Sequence, residues 1–454
     1  MSDKSFLQGN ACLLTGYHTE LFISTDDGQS VLVSLNNDDV SSHMDLAKEI
    51  LSDPVNQWLF SHVRKDLFLV GGYIRDLLRS GDINKDRDYI LKDNVRKVAL
   101  RASNKFKGTL IELKKDQMFR VALKDGQFLD FSHMQNTLLE DLGNRDFRIN
   151  AMAWSPEKGL IDPFDGKTDV THRIIRMIKP ENLAEDPLRV LRAYRLAAQS
   201  GFTIDVETLN YLRKYASHIK EAASERITEE LFKLLVTENA SYYISMSHTH
   251  KVLHKILDVT QRNIDQNIAL LANFDHFIAR LQAGKFKRLF HSRISPVLNL
   301  TIGQGLSRTG LIRLSILLNN LRRGEENRFP SLTYSKSIMK RVEKIQDVIM
   351  LSSGRLTAGK LYDIFKAADE CEYEAALIVS ITRQRNVDKY IKRADDFIKI
   401  KKNKIIDGYD IQHALHTGPS GLIGEILEEV QRRRYLGTIK NRADALKWIT
   451  SNLT

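Results

Sequence analysis

The chain is poor in the residues that several common kinds of site require. Only two of its 454 residues are cysteine, Cys12 and Cys371, and they lie far apart. That excludes a disulfide framework and a cysteine-rich zinc site, and it points to a reducing compartment. No apolar run approaches the roughly 20 residues that a membrane-spanning helix needs. The opening residues, MSDKSFLQGN, have no basic segment leading into an apolar one. No secretory signal is therefore expected, and the cytoplasm is the expected location. The HExxH, Cys-x-x-Cys and EF-hand patterns are missing. Gly166-Lys167-Thr168 resembles the end of a phosphate-binding P-loop, but Ile161 stands where that motif requires its first glycine.

What is present is charge and an ordinary apolar core. Apolar residues make up 42% and charged residues 28% of the chain, as in globular proteins. Lysine and arginine number 68 against 57 acidic residues, a formal excess of +11. Such an excess favours a polyanionic partner, most often nucleic acid. The length implies several domains.

Residues 11–35 carry β-rich runs around DDGQ and suggest a small hairpin. Residues 42–66 suggest helix with a break near Pro54. A mixed α/β segment follows. LFLVGG reads as a buried strand, IRDLLRS as a helix ended by Gly81, RDYIL as a strand and NVRKVALRASNKF as a helix. GTLIEL, MFRVAL and QFLDFS read as further strands, the last two meeting at the turn KDGQ. From about Leu138 onward the pattern is mostly helical and strongly basic. No fixed-period repeat is visible.

Residues two apart on a strand share a face, so Asp86 and Asp88 point together. Two carboxylates that close repel unless a cation or a proton lies between them. A solvated strand end would explain them blandly. The apolar flank Tyr89-Ile90-Leu91 and the preceding Gly71-Gly72 weigh against it, because glycine lets backbone approach a ligand. The helix opening at Gly72 offers free N–H groups to phosphate, and Arg75 can add a bidentate contact. The combination suits a nucleoside triphosphate with Mg²⁺. Asp130, flanked by Leu129 and Phe131, is the candidate third carboxylate. An ordinary polar residue at a strand end explains it equally well.

LVGGYIRDLL with DRD resembles the nucleotidyltransferase signature, and specifically the class II tRNA nucleotidyltransferase and bacterial poly(A) polymerase family. Four later segments are similar to that family in order: LLEDLGNRDFRINAMAW (138–154), LIDPFDGKTDV (160–170), AEDPLRVLRAYRLAAQSGF (184–202) and SERITEEL (224–231). The resemblance covers about residues 67–235. The sequence departs from the family at Asn144, usually Arg, and at Arg148, usually Thr, while Arg145, Asp146, Asn150 and Ala151 follow it. The resemblance implies an α+β head, a small mixed sheet with helices, followed by an all-helical neck, body and tail. It divides the chain into an N-terminal extension (1–45), head (46–170), neck (171–235), body (236–345) and tail (346–454).

Asp186, Arg189, Arg192 and Arg195 recur every third residue and drift slowly round one helix face over roughly 13 Å. A solvated, internally paired face would account for the charges. It does not account for their regular spacing beside Leu188, Leu191 and Leu196. A carboxylate beside a guanidinium matches the amino donor and ring-nitrogen acceptor of cytosine and adenine, and rejects guanine and uracil. In the family, the residues matching Asp186 and Arg189 perform this selection. Arg192, Arg195 and Arg145 are then expected to face the triphosphate. Asp146 and Asn150, with Asp76, are expected to brace the turn.

Many relatives carry a His-Asp phosphohydrolase domain, and no His-Asp doublet occurs here. His248, His250 and His254 have metal-ligand spacing but no evident carboxylate nearby, and a solvated or RNA-facing helix is the expected setting. The stretch from Ile405 to Ile449 is similar to the tail of long CCA-adding enzymes, which favours a tRNA-binding tail over the poly(A) polymerase branch. Its glycines suit either phosphate binding or helix capping. The expected reaction is addition of C and A to the tRNA 3′ end from CTP and ATP, with Asp86 and Asp88 holding Mg²⁺. The short segment between Asp130 and Leu138 keeps a CC-adding or A-adding specialist open. A poly(A) polymerase and a non-catalytic RNA-binding protein are the further alternatives.

Overall fold

The computed structural model describes residues 13–15, 18–24, 30–35, 46–63, 65–80, 86–257, 261–321, 332–383, 387–419 and 421–453. The chain divides into two compact units: residues 1–179 with 283–286, and residues 180–282 with 287–454. The expected helix end at Gly81 lies outside the described residues.

In the first unit, strands β1 (Leu13–Thr15), β2 (His18–Ser24) and β3 (Ser30–Leu35) form an antiparallel sheet, one strand larger than the expected hairpin. Helices α1 (Leu46–Ser52) and α2 (Pro54–His62) follow. They are separated as Pro54 requires. Asp53 caps α2, accepting from the backbone N–H of Val55 at 2.9 Å and of Asn56 at 3.0 Å.

The head then runs β4 (Leu67–Val70), α3 (Gly72–Ser80), β5 (Arg87–Leu91), α4 (Val95–Phe106), β6 (Thr109–Lys114), β7 (Met118–Ala122), β8 (Phe128–His133) and α5 (Leu138–Gly143). These match the expected elements closely. Two strands of the head's main sheet were not expected. β9 (Ala153–Ser155) and β10 (Gly159–Ile161) fall in the segment read as helical, yet they complete a seven-stranded sheet of order β10-β9-β4-β5-β8-β7-β6. Three residues are too few to show a period of two.

β4 is buried along its whole length and lies between β9 and β5. Phe68, Val70 and Ile90 share one face and pack with Met134, Leu142, Ala151 and Ala153. Tyr89 occupies the opposite face, its ring stacked on Phe131 at 5.2 Å and its hydroxyl donating to Asn56 Oδ1 at 2.5 Å. Arg87 lies on that face too, between the aspartates in sequence but turned away from them. It donates to Asp53 and to Gln127 Oε1, the latter at 2.7 Å. Burial and the Asp53 carboxylate fix this guanidinium, and with it the register of β5.

The second unit is mainly helical. Helix α6 (Gly166–Thr171) ends the head, and α7 (Pro180–Glu185), α8 (Leu188–Ser200), α9 (Val206–Tyr215), α10 (Ser224–Leu235), α11 (Ala240–Thr249), α12 (Val252–Leu257) and α13 (Gln261–Ala283) follow. α8 buries Leu188, Leu191, Tyr194 and Leu196 and packs on α10 and α11. The buried Arg313 guanidinium donates to the Leu235 and Thr237 carbonyls, each at 2.7 Å, and so satisfies carbonyls at the C-terminal end of α10. The C-terminal helices Gly408–Leu415, Gly421–Leu436 and Arg442–Leu453 close on an isoleucine-rich core that includes Ile411, Ile426, Ile439 and Ile449. Among the described residues, no helix is long and apolar enough to cross a membrane.

Asp53→Ala removes a helix cap and the carboxylate partner of a buried guanidinium. It is expected to destabilise the head by about 3 kcal/mol, read from denaturant unfolding by tryptophan fluorescence. A loss under about 0.5 kcal/mol would show that Arg87 finds water or another partner.

Candidate active site

β4 ends at Val70, and the chain turns through Gly71 into α3. Gly71 has φ +78°, a left-handed conformation that favours glycine. A β-carbon there would stand 2.9 Å from Arg145 Nη1 and 3.3 Å from Asp88 Oδ2. The turn must therefore be bare for Arg145 and Asp88 to lie over it.

Asp88 sits opposite Val70 on β4 and, on its other side, in parallel register with Asp130 on β8. Asp86 lies one residue before β5 and accepts from the backbone N–H of Phe128 at 3.0 Å. Along this face the chain passes from Ile90, in the core, to Asp88 and then to the exposed Asp86. Asp88 thus stands where the apolar core ends. Burial pushes its carboxyl up to about 6, Asp130 and Asp86 push it the same way, and Arg145 and Arg120 oppose them. Of the two aspartates expected on one strand face, Asp88 is in β5 and Asp86 lies just outside it.

Asp130 is beside Asp88, as the sequence suggested, but its carboxylate is engaged. Arg120 donates to both of its oxygens, Nε to Oδ1 at 2.8 Å and Nη2 to Oδ2 at 2.7 Å. Arg120 comes from β7, directly across from Asp130, and could not be assigned without the register. No group of three potential metal ligands occurs among the described residues.

Arg75 is corrected in role. The expected phosphate contact requires an outward guanidinium, whereas Arg75 is 7% exposed and turned inward. Its Nε donates to Asp76 Oδ1 at 2.9 Å and its Nη1 to Asn150 Oδ1 at 2.7 Å. Asn150 Nδ2 donates in turn to Asp146 Oδ1 at 3.0 Å, and Arg145 Nη1 to the Asn150 carbonyl at 3.2 Å. Asp76, Arg75, Asn150 and Asp146 thus form one chain of hydrogen bonds that ties α3 to the turn holding Arg145. Gly72, whose β-carbon would meet Arg75 at 3.3 Å, begins that helix.

In the second unit, Asp186 lies just before α8 and accepts from Leu188 N–H at 3.3 Å. Arg189 Nη1 donates to the Asn182 carbonyl at 2.8 Å. Arg195 Nε donates to Glu230 Oε2 at 2.5 Å, and Arg192 Nε to Oε1 at 3.4 Å. Arg226 Nη2 donates to Asp186 Oδ2 at 2.9 Å. Glu230 and Arg226 lay inside the quoted SERITEEL segment but carried no distinguishing signal there.

The histidines are also corrected. His248 and His250 are buried, not solvated. His248 Nε2 pairs with Asp265 at 2.7 Å and its ring stacks on His254 at 4.6 Å. His250 Nδ1 meets the Tyr194 hydroxyl at 2.8 Å, and burial lowers its ring to about 4. The carboxylate partner stands 17 residues downstream of His248, beyond the reach of local reading.

A buried strand ending in a bare glycine turn, beside carboxylates on neighbouring strands, defines the nucleotidyltransferase class of head. Residues 67–176 match the model of the poly A polymerase head domain, and residues 201–273 match that of a probable RNA- and SrmB-binding site of polymerase A. The head and the segment that follows it are thus similar to those of poly(A) polymerase-type nucleotidyltransferases. The chain is 28% identical to the CC-adding tRNA nucleotidyltransferase of Synechocystis sp. over 84% of this chain and 92% of that one. The protein of that name from Geobacter sulfurreducens is likewise 28% identical, over 84% and 91%. The fold is similar to that of the Thermotoga maritima CCA-adding enzyme complexed with tRNA (TM-score 0.65, 21% identity, 90% of this chain and 99% of that one). It is also similar to a CCA-adding enzyme complexed with ATP (TM-score 0.69, 21% identity, 90% and 99%).

Gly71→Ala should cut catalytic turnover by about a hundredfold, because the added carbon displaces Arg145 and the turn is strained. The loss should appear in single-turnover assays at saturating substrate, with the far-ultraviolet circular dichroism spectrum unchanged. Turnover within about threefold of wild type would mean the close approach is incidental.

Proposed function

We propose that this protein is a tRNA nucleotidyltransferase that extends the tRNA 3′ end with C and A from CTP and ATP, releasing pyrophosphate. The observation that carries the reading is Asp88, held between the Gly71 turn and Asp130 with Arg145 overhead. The matched head and RNA-binding segments, and relatives named for CC addition, support it.

The residues fit a Mg²⁺ cofactor. Carboxylate oxygens are the donors Mg²⁺ prefers, and it is commonly bound through one or two carboxylates with substrate phosphates completing its shell. Asp86 and Asp88 would hold it, while Asp130 stays paired with Arg120. Bound there, Mg²⁺ would supply charge neutralisation at the phosphates and a lower pKa for the attacking hydroxyl. Arg145, kept over the turn by Asn150, offers a guanidinium to the triphosphate. The Gly71–Gly72 turn admits phosphate against backbone. Asp186 and Arg189 would read the pairing edge of the base, and Arg192 and Arg195 would serve the phosphates. The basic helical tail would grip tRNA through its backbone.

A CC-adding specialist is the second reading. Two points favour it: the names of the two relatives matched over most of their length, and the short connection Met134–Thr137 between β8 and α5, where the resemblance implies a longer loop in many full CCA-adding relatives. Extension of tRNA transcripts ending at the discriminator base, at C and at CC tests both. CCA addition that stops supports the first reading, and CC addition that stops supports the second. A long A ladder points to a poly(A) polymerase. No extension on any substrate, with tRNA still bound, overturns the enzyme reading. Asp88→Ala should abolish extension while leaving tRNA affinity within about twofold, checked by filter binding.

Asp88 also sets a pH dependence. Burial pushes its folded carboxyl up to about 6, above the ordinary carboxylate value of 3.8. Its protonated form is thus favoured by folding. The associated stability is complete below about 3.8 and is lost as pH rises through about 6. Mg²⁺ competes with that proton, so the apparent Mg²⁺ requirement should rise about tenfold per pH unit below 6. A Mg²⁺ requirement that stays flat from pH 7 to 5 would contradict this.

A further inference from the structure

Helix α4 carries four cations and no acid. Arg96, Lys97, Arg101 and Lys105 are all exposed, as is Lys107 at the C-terminal cap. Lys97, Arg101 and Lys105 are four residues apart and form one row, each about 6 Å of rise from the next. Like charges at that spacing weaken a helix. Elsewhere in the head a carboxylate answers a guanidinium, as Asp53 answers Arg87. On α4 none does: among the described residues, none of these cations makes an ion pair. The helix packs on β7 and β8, on the reverse side of the sheet from the candidate catalytic carboxylates. Phe119, Phe131 and Tyr89 lie in register on that reverse face, alternating with Arg120, Asp130 and Asp88 on the other. α2 covers Tyr89 through Asn56, and Trp58 of α2 meets Phe106 of α4 edge-on at 5.4 Å. α2 and α4 therefore form one layer over the reverse face. Beside the cation row stand Arg96, Asn104 and Leu100, the last 43% exposed. At the end of α4, the exposed His62 stacks its ring on Trp58 at 4.6 Å.

We infer that the outer face of α4 is a second RNA-binding surface, which takes a single-stranded stretch by its phosphates and is separate from the site at Asp88. A straight row of cations suits a backbone that presents one phosphate per nucleotide. Ammonium and guanidinium groups without a carboxylate partner keep their donors for phosphate oxygens. Bound phosphates would also relieve the repulsion along the row. Leu100 and the His62–Trp58 stack supply what bases use and an acidic peptide does not need: apolar contact and an aromatic face. A paired helix turns its bases inward and could use the cations but not the rings, which favours a single strand. The 3′ end under extension must reach Asp88, on the opposite face of the sheet. A strand lying on α4 is therefore clear of the reacting end. Binding of this kind works by counterion release, and its mark is a steep dependence on salt.

The test is fluorescence anisotropy of a labelled mixed-sequence RNA oligonucleotide titrated with the full chain over a range of salt. The oligonucleotide ends in a 3′-phosphate, so it cannot act as a primer. Wild type is compared with His62→Ala and with the triple variant Lys97→Gln, Arg101→Gln, Lys105→Gln. The triple variant should bind at least tenfold more weakly at low salt. Its slope of log affinity against log salt should be shallower by about 2, as loss of three phosphate contacts to a single strand requires. His62→Ala should weaken binding severalfold and leave the slope unchanged. All four side chains are exposed and glutamine is a good helix former, so the variants are expected to fold, and thermal melts check this. Extension of a tRNA transcript should stay within about twofold of wild type for both. Unchanged affinity and slope in the triple variant would overturn the inference and leave a solvated helix face. Weaker binding accompanied by a tenfold higher KM for tRNA would overturn the separateness, since the face would then belong to the path of the substrate. Competition by polyglutamate as strong as that by unlabelled RNA would overturn RNA as the partner in favour of an acidic protein. The inference does not depend on which nucleotides are added, and extension by wild type decides that question by itself.

Discussion

The head depends on the parallel pairing of β5 with β8. That register puts Asp88 against Asp130, and like charges one strand spacing apart on a half-buried face are costly. The rest of the head answers that cost. Arg120, in register across from Asp130, neutralises it with two hydrogen bonds. Arg145 is brought over Asp88 by a turn that only glycine completes without a clash. Arg87, on the reverse face, is anchored by Asp53 so that β5 cannot slip. Asp88 remains the carboxylate whose protonation is pushed up to about 6, mainly by burial.

The same logic of matched charge governs the second unit. Buried or half-buried guanidiniums there are each met by a carboxylate or by carbonyls: Arg313 by Asp275, Leu235 and Thr237, Arg308 by Glu374, and Arg195 by Glu230. Breaking such a pair leaves an uncompensated charge and costs far more than the pair itself contributes. The net positive charge of the chain is thus not spread evenly in its effect. Arginines in these pairs shape the fold, and the exposed lysines of the last helices provide the field that a polyanion would meet.

Much of this was legible in the sequence because it rests on local rules. β4, β5 and β8 announce themselves as apolar runs, and Gly71-Gly72 marks the turn. Period two alone places Asp86 and Asp88 on one face. The arginine spacing in 186–195 exposes the helix that carries it. What escaped depends on tertiary register. Arg120 looks like any strand arginine until Asp130 lies opposite. Arg75 reads as a phosphate ligand until Asn150, 75 residues away, claims it. The partner of His248 is equally remote, and β9 is too short to declare its period. Roles could be read where neighbours in sequence decide them, and not where neighbours in space do.

Manganese binding, followed by electron paramagnetic resonance, tests the central claim most directly. Mn²⁺ would be titrated into the full chain with CTP, for wild type and for Asp88→Asn, which keeps the shape and removes the charge. The account predicts that wild type takes up Mn²⁺ with CTP and that Asp88→Asn weakens this at least tenfold while CTP still binds. Equal Mn²⁺ affinity in the two proteins would contradict it, because the crowded carboxylates would then have no part in holding a cation.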